Sequence, residues 1–257
     1  MTRTSRLGIN VTRQLSVKDR EKMESLAFAD GQEIEGNIAT NYGFKGDLLS
    51  LFVKKSQFPI HKWHHYIPIY DSYFSAYRGT NVRFLEIGVS KGGSLRLWRD
   101  YFGPDAKIFG IDIDPTCANF DGVNGQVRIG SQDDPKFLES VIKEMGGVDI
   151  VLDDGSHQMK HIKKTLQILF PEVSNSGLYV IEDLHTSFWK SFGGGNSRDN
   201  FLMKFLPELV LDMHRWYHPF PPVHPTISRD LPAIHIHDSI VVLEKGPVHR
   251  PSHSIVG

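Results

Sequence analysis

A single cysteine, Cys117, stands in the 257 residues, so no internal disulfide can form and nothing marks the chain for an oxidising compartment. Long apolar runs are also missing. None approaches the length of a membrane span, and the opening MTRTSRLGINVTRQLS lacks the apolar stretch of a secretory signal. Export and insertion are therefore not expected, and a cytoplasmic location follows. Excess charge of either sign is absent: 29 Lys and Arg against 30 Asp and Glu leave a formal net charge of -1, which excludes broad attraction to nucleic acid or to an anionic membrane. There is no repeat and no low-complexity tract. What remains is an ordinary globular balance of 40% apolar and 23% charged residues, enough to bury one substantial core and suited to a small or neutral ligand.

Two regions read differently along the chain. Residues 1–80 hold short helical stretches and a cluster of aromatics and histidines, HKWHHYIPIYDSYFSAYRG. Ser16 followed by Asp19 resembles a capping box that opens a helix through about Ala29, and Asp47 to Lys55 predicts a second short helix. Residues 81–257 alternate short apolar runs (VRFLEI, KIFGID, QVRIG, VDIVLD, LYVIED) with amphipathic segments, the pattern of parallel strands joined by helices. The ending AIHIHDSIVVLEKG reads as a hairpin around Asp238 and Ser239. The fold class predicted is α/β, Rossmann-like, with seven mostly parallel strands, helices on both faces and an antiparallel C-terminal hairpin. Gly193-Gly194-Gly195-Asn196 reads as a mobile loop that could serve as a lid.

Chemistry concentrates at the strand ends. FLEIGVSKGGSLRLW places Glu86, Gly88, Gly92 and Gly93 where a strand gives way to a helix, a position at which glycines let backbone approach a ligand and a helix offers free N–H groups. A tight turn with no ligand fits the same residues. A dinucleotide fingerprint does not, because Ser90 stands where G-x-G-x-x-G needs its second glycine. The literal G-x-S-x-G at Gly88–Gly92 would make Ser90 a hydrolase nucleophile, yet it follows what reads as the first strand, with no earlier strand to supply an oxyanion loop. KIFGIDIDP then ends in acids about 25 residues later, where Asp112 suits ribose hydroxyls and Asp114 suits a helix cap. After the third strand, Ser131, Gln132 and Asp133 could face an adenine edge. Two further strands end in Asp153-Asp154 and Glu182-Asp183. Clustered carboxylates resist joint ionisation unless a cation neutralises them, which points to a hard divalent ion such as Mg²⁺; solvated helix caps are the alternative.

Taken together, KWHHY at 62–66, LEIGVSKGGSLRLW at 85–98, DDGSH at 153–157, GLYVIEDLHTSFW at 177–189 and the terminal HDSIVVLEKG resemble class I S-adenosylmethionine-dependent methyltransferases. Within them the resemblance is to the Mg²⁺-dependent sugar O-methyltransferases of macrolide biosynthesis, mycinamicin and tylosin type, and it spans roughly residues 58–246. The resemblance implies cofactor contacts at Glu86, Gly88 and Asp112, metal ligands at Asp154, Glu182 and Asp183, and a general base at His157. Ser90, Ser94, Ser131, Gln132, Asp133 and Asp153 complete the expected cofactor side. It further implies that 81–257 is the catalytic domain and that 1–80 is a helical, lid-like, substrate-side region, in which Trp63, His64, His65 and Tyr66, with Trp189, would close over the acceptor unless they are simply core. The long N-terminal region of some family members is mostly absent. The expected partner is a small-molecule hydroxyl acceptor of glycoside type, with assembly into a homo-oligomer left open. A catechol-type O-methyltransferase, a Ser90 hydrolase and a cofactor-binding protein without turnover stand as rival readings.

Overall fold

The computed structural model describes residue 28 and residues 30–257. The helix expected from Ser16 lies outside the described residues. Seven strands form one mixed sheet in the order β3-β2-β1-β4-β5-β7-β6: β1 (Arg83–Ile87), β2 (Lys107–Asp112), β3 (Gln126–Ile129), β4 (Val148–Asp153), β5 (Val173–Ile181), β6 (Ile234–Ile236) and β7 (Val241–Glu244). This is the α/β class that the alternating apolar runs predict. The chain divides into two compact units, Met1–Ser131 and Gln132–Gly257.

In the first unit β1, β2 and β3 run parallel, with Arg83 opposite Lys107 and Phe109 opposite Gln126. Phe84, Leu85, Glu86 and Ile87 are all buried, which explains why β1 reads as a continuous apolar run rather than an alternating one. Helices α1 (Gly31–Tyr42), α2 (Asp47–Val53), α3 (Tyr66–Phe74) and α4 (Gly93–Phe102) complete it. Tyr66, Tyr70 and Phe74 recur every fourth residue on α3 and are fully buried, so this stretch of the aromatic cluster is core. Trp98 of α4 lies at the centre, with ring centroids 5.3 Å from Tyr70, 5.5 Å from Phe74 and 5.3 Å from Phe84.

In the second unit β4 and β5 are parallel, while β7 pairs antiparallel with both β5 and β6. The C-terminal hairpin is therefore as predicted, and its outer strand β6 is only 3 residues long, a short edge of the kind that limits unwanted pairing. Helix α5 (Pro135–Met145) is capped by the Asp134 carboxylate and stopped by left-handed Gly146. Helices α6 (Met159–Leu169), α7 (Leu206–Met213) and the single turn α8 (Pro225–Ser228) follow. Among the described residues no helix is long and apolar enough to cross a membrane.

Candidate functional site

The glycine-rich turn of the first unit is built by hydrogen bonds to the end of β2. Asp112 Oδ2 accepts the backbone N–H groups of Val89 (2.9 Å) and Ser90 (3.0 Å), and Asp112 Oδ1 accepts that of Asp114 (2.9 Å). A carboxylate offers about four lone-pair sites, so Asp112 keeps capacity for one further donor while it shapes the turn. Gly88 and Ser90 both have positive φ, 99° and 50°. No histidine bonds Ser90 Oγ among the described residues, so the nucleophile arrangement is not assembled there. Asp114 caps the short helical turn Pro115–Phe120, as its spacing suggests.

Glu86 and Ser94 meet each other. The Ser94 hydroxyl donates to Glu86 Oε2 at 2.7 Å and the Trp98 indole N–H to Oε1 at 3.1 Å, so the fully buried carboxylate ties β1 to α4. Gly92 and Gly93 are required for a reason the sequence does not show. A Cβ on Gly93 would collide with the Pro59 carbonyl, and one on Gly92 would press into the Phe120 ring at 2.8 Å. Their missing side chains admit protein rather than ligand. In the segment 62–66, Lys62 is buried 5.8 Å from the Tyr70 ring, and His64 Nδ1 lies 2.7 Å from Asn37 Oδ1. Burial, with a smaller contribution from His65, holds the His64 imidazole below its ordinary pKa.

In the second unit the acidic strand ends divide into an inner and an outer set. Asp153 is buried in a polar network: it accepts from Gln132 Nε2 (3.2 Å) and from the Tyr179 hydroxyl (3.3 Å), and burial pushes its carboxyl up to about 6. Gln132 Nε2 also donates to Thr165 Oγ1 (3.1 Å), and Gln132 Oε1 accepts the Ser156 N–H (2.8 Å). Both amide donors are therefore spent inside the protein, and the side chain expected to face an adenine edge instead braces the loop between Asp154 and His157. Asp133 lies 3.8 Å from Lys164 Nζ.

The outer set is Asp154, His157 and Asp183, each offering one ligand atom, all within 4.8 Å of one another. His157 Nε2 is 3.8 Å from Asp154 Oδ1 and 3.7 Å from Asp183 Oδ2. These separations are too long for hydrogen bonds. They suit groups arranged around a common centre, since a hard cation with ligands about 2.0–2.6 Å away keeps any two of them within about 5 Å. Two carboxylates and one imidazole thus fit a divalent ion. Glu182, expected as a third carboxylate ligand, does not belong to this group; it is 1% exposed, and its N–H bonds the Asp153 carbonyl at 3.0 Å. His157 precedes α6, and both His157 (φ 54°) and Asp183 (φ 55°) adopt the left-handed conformation. For non-glycine residues that costs on the order of 1–3 kcal/mol each, and such strain gathers at functional sites. The Thr186 hydroxyl, 2.6 Å from the Asp183 carbonyl and 3.5 Å from that of His157, links the two turns.

A chain of aromatic rings borders this group: His157 to Phe192 (6.5 Å), Phe192 to Trp189 (5.9 Å) and Trp189 to His185 (4.8 Å). The glycine tract after them is closely fastened. Gly195 N–H bonds the Ser187 carbonyl at 2.8 Å, and the buried Asn200 amide donates to the carbonyls of Ser187 and Gly195, both at 2.7 Å.

Sequence comparison identifies the region that carries these residues. A family profile described as "Methyltransferase domain" matches residues 85–184. The matched stretch runs from β1 past Asp183, so it includes the glycine-rich turn, Asp112, Gln132, Asp154 and His157. The chain is 37% identical over 213 residues to 8-demethyl-8-(2-methoxy-alpha-L-rhamnosyl)-tetracenomycin-C 3'-O-methyltransferase of Streptomyces olivaceus, covering 78% of this chain and 54% of the relative. It is 35% identical over 195 residues to mycinamicin VI 2''-O-methyltransferase of Micromonospora griseorubida, covering 71% and 48%. A solved structure, the MycE methyltransferase in complex with Mg, SAH and mycinamycin VI, superimposes with a TM-score of 0.66 at 31% identity, covering 83% of this chain and 53% of that one. The chain thus spans about half the length of these relatives. The resemblance read from the sequence motifs is the one these comparisons return.

Proposed function

We propose that the protein is an S-adenosylmethionine-dependent, Mg²⁺-assisted O-methyltransferase acting on a sugar hydroxyl of a natural product or related glycoside. One observation carries the reading: Asp154, His157 and Asp183 present two carboxylates and an imidazole to a common centre from two strained turns. The relatives named above are sugar O-methyltransferases, which supports a glycoside as acceptor. The half-buried Trp189 ring, backed by buried Phe192, offers an apolar face to a sugar ring.

In this reading Asp154 and Asp183 hold the cation, and Asp112 with the glycine-rich turn holds the cofactor. When bound, the cation supplies Lewis-acid polarisation of the acceptor hydroxyl and S-adenosylmethionine supplies the methyl group. The protein orients the hydroxyl oxygen toward that methyl carbon, a positioning effect that contributes much of the rate. His157 Nε2 would take the proton that the acceptor hydroxyl loses on methylation. Neutral imidazole is the suitable base near pH 7, because carboxylates committed to a cation are weakly basic. Mg²⁺ also prefers oxygen ligands, which leaves the imidazole for proton transfer.

The test separates base from ligand. His157→Ala should lower kcat by about 10²–10⁴-fold while Mg²⁺ and cofactor affinities, read by calorimetry, stay near native. Chelation should abolish turnover and Mg²⁺ should restore it. Full activity of thoroughly demetallated protein would sink the metal reading, and near-native kcat in the histidine variant would remove His157 as base.

A further inference from the structure

The β6–β7 turn reaches across to the Asp183 turn through one residue, Ser239. Its carbonyl accepts the Leu184 N–H at 3.0 Å, and its hydroxyl oxygen accepts the His185 N–H at 3.1 Å. The same hydroxyl lies 2.6 Å from His185 Nδ1, to which it can donate its own hydrogen. These are the two residues that follow left-handed Asp183. β7 pairs with β5 up to Ile181 opposite Val241, so the Ser239 bonds continue the attachment of the two strands beyond the end of the regular ladder.

We infer that Ser239 is a positioning residue for Asp183, holding its carboxylate at the Asp154–His157–Asp183 centre. Aspartate tolerates the left-handed backbone better than most non-glycine residues, but still at a cost, so local preference alone does not fix Asp183 in it. Something must over-determine it. Thr186 ties down the Asp183 carbonyl, and Ser239 captures the next two N–H groups, so the peptide units after Asp183 are fixed from opposite sides. Ser239 is itself left-handed, with φ 65°. A turn selected only for folding would be served better by glycine, which takes this conformation without strain. Serine at this position keeps the strain and supplies the hydroxyl.

That contrast gives the experiment. The inference rests on the metal reading above, so two variants are compared with Mn²⁺ alone as the probe, its affinity read by electron paramagnetic resonance. Ser239→Gly removes the hydroxyl and relieves the backbone, so the unfolding temperature should hold or rise while Mn²⁺ affinity falls about 10–100-fold, the usual effect of losing a partner that orients a ligand. Unchanged Mn²⁺ affinity in Ser239→Gly, or a loss no larger than its unfolded fraction explains, overturns the positioning role. Asp183→Asn is the control for the underlying reading. If it binds Mn²⁺ like the native protein, the metal centre itself is refuted, and the role of Ser239 in serving it falls too.

Discussion

Replacing Gln132 by methionine tests whether the buried amide braces the site loop. Methionine matches the length and nearly the volume of glutamine, so it opens little cavity and removes only the polar contacts. Three bonds disappear: those to Asp153, Thr165 and the Ser156 N–H. A neutral bond contributes about 1 kcal/mol net, and one to a carboxylate about 1.5–3 kcal/mol. The Thr165 hydroxyl keeps its bonds to the Gln132 and His161 carbonyls, and Asp153 keeps the Tyr179 hydroxyl, so neither is orphaned. Ser156 N–H does lose its partner. With the apolar gain of a buried methionine offsetting part of the loss, Gln132→Met should be destabilised by roughly 2–4 kcal/mol. In a chain of this size each kcal/mol moves the unfolding temperature by about 2–4 °C, so calorimetry should show a fall of roughly 4–16 °C. The Ser156 hydroxyl still contacts His161 Nδ1 at 2.9 Å, so the loop should loosen without unravelling. A midpoint within about 1 °C of native would refute the bracing role and return the Gln132 side chain to the cofactor contact expected from sequence.

Asp112→Ala should weaken binding of the demethylated cofactor by about 10–100-fold in calorimetry, because the turn loses the carboxylate bonds that shape it along with any ribose contact; native affinity in the folded variant would exclude both roles. Gly93→Ala should destabilise by about 1–3 kcal/mol through its collision with Pro59, whereas Gly36→Ala, with open space around the added carbon inside α1, should stabilise by up to about 1 kcal/mol; denaturant titration checks the opposite signs. Asp230 is held below the ordinary carboxylate range chiefly by its bonds to Arg229, with Lys245 Nζ 3.1 Å away. A depressed folded pKa contributes stability that is present above the unfolded value of 3.8 and is lost as pH falls through the folded one. Asp230→Asn should therefore be less stable at neutral pH and lose less stability on acidification below about pH 4 than the native protein; parallel stability curves for the two would contradict the assignment.

The fold was legible because its strands are buried on both faces. VRFLEI, VDIVLD and LYVIED carry that burial as unbroken apolar runs, and Asp114 at the start of Pro115–Phe120 follows ordinary capping chemistry. The acidic pairs at two strand ends and His157 three residues after Asp154 are also visible, and the structure brings Asp154, His157 and Asp183 together there. Which member of each pair faces the site is not visible in the sequence. Asp153 and Glu182 are buried, whereas Asp154 and Asp183 gather with His157 in the turns beyond the ends of β4 and β5. The left-handed turns at His157 and Asp183, which no local pattern announces, are where the assembled two carboxylates and one imidazole depart from the three-carboxylate expectation with Glu182.

Sequence by itself determined which residue types are available and where strands and turns begin, since periodicity, capping and turn preferences act over a few residues. The tertiary structure decided what each polar group spends its bonds on. Gln132 turns to Asp153 and Ser156, Glu86 to Ser94 and Trp98, and Ser239 to residues 54 positions earlier in the chain. Gly92 and Gly93 make room for Phe120 and Pro59. Those partners come from distant segments and leave no local pattern. A buried donor or acceptor must find a partner wherever packing brings one, and that choice is made only when the whole chain has folded.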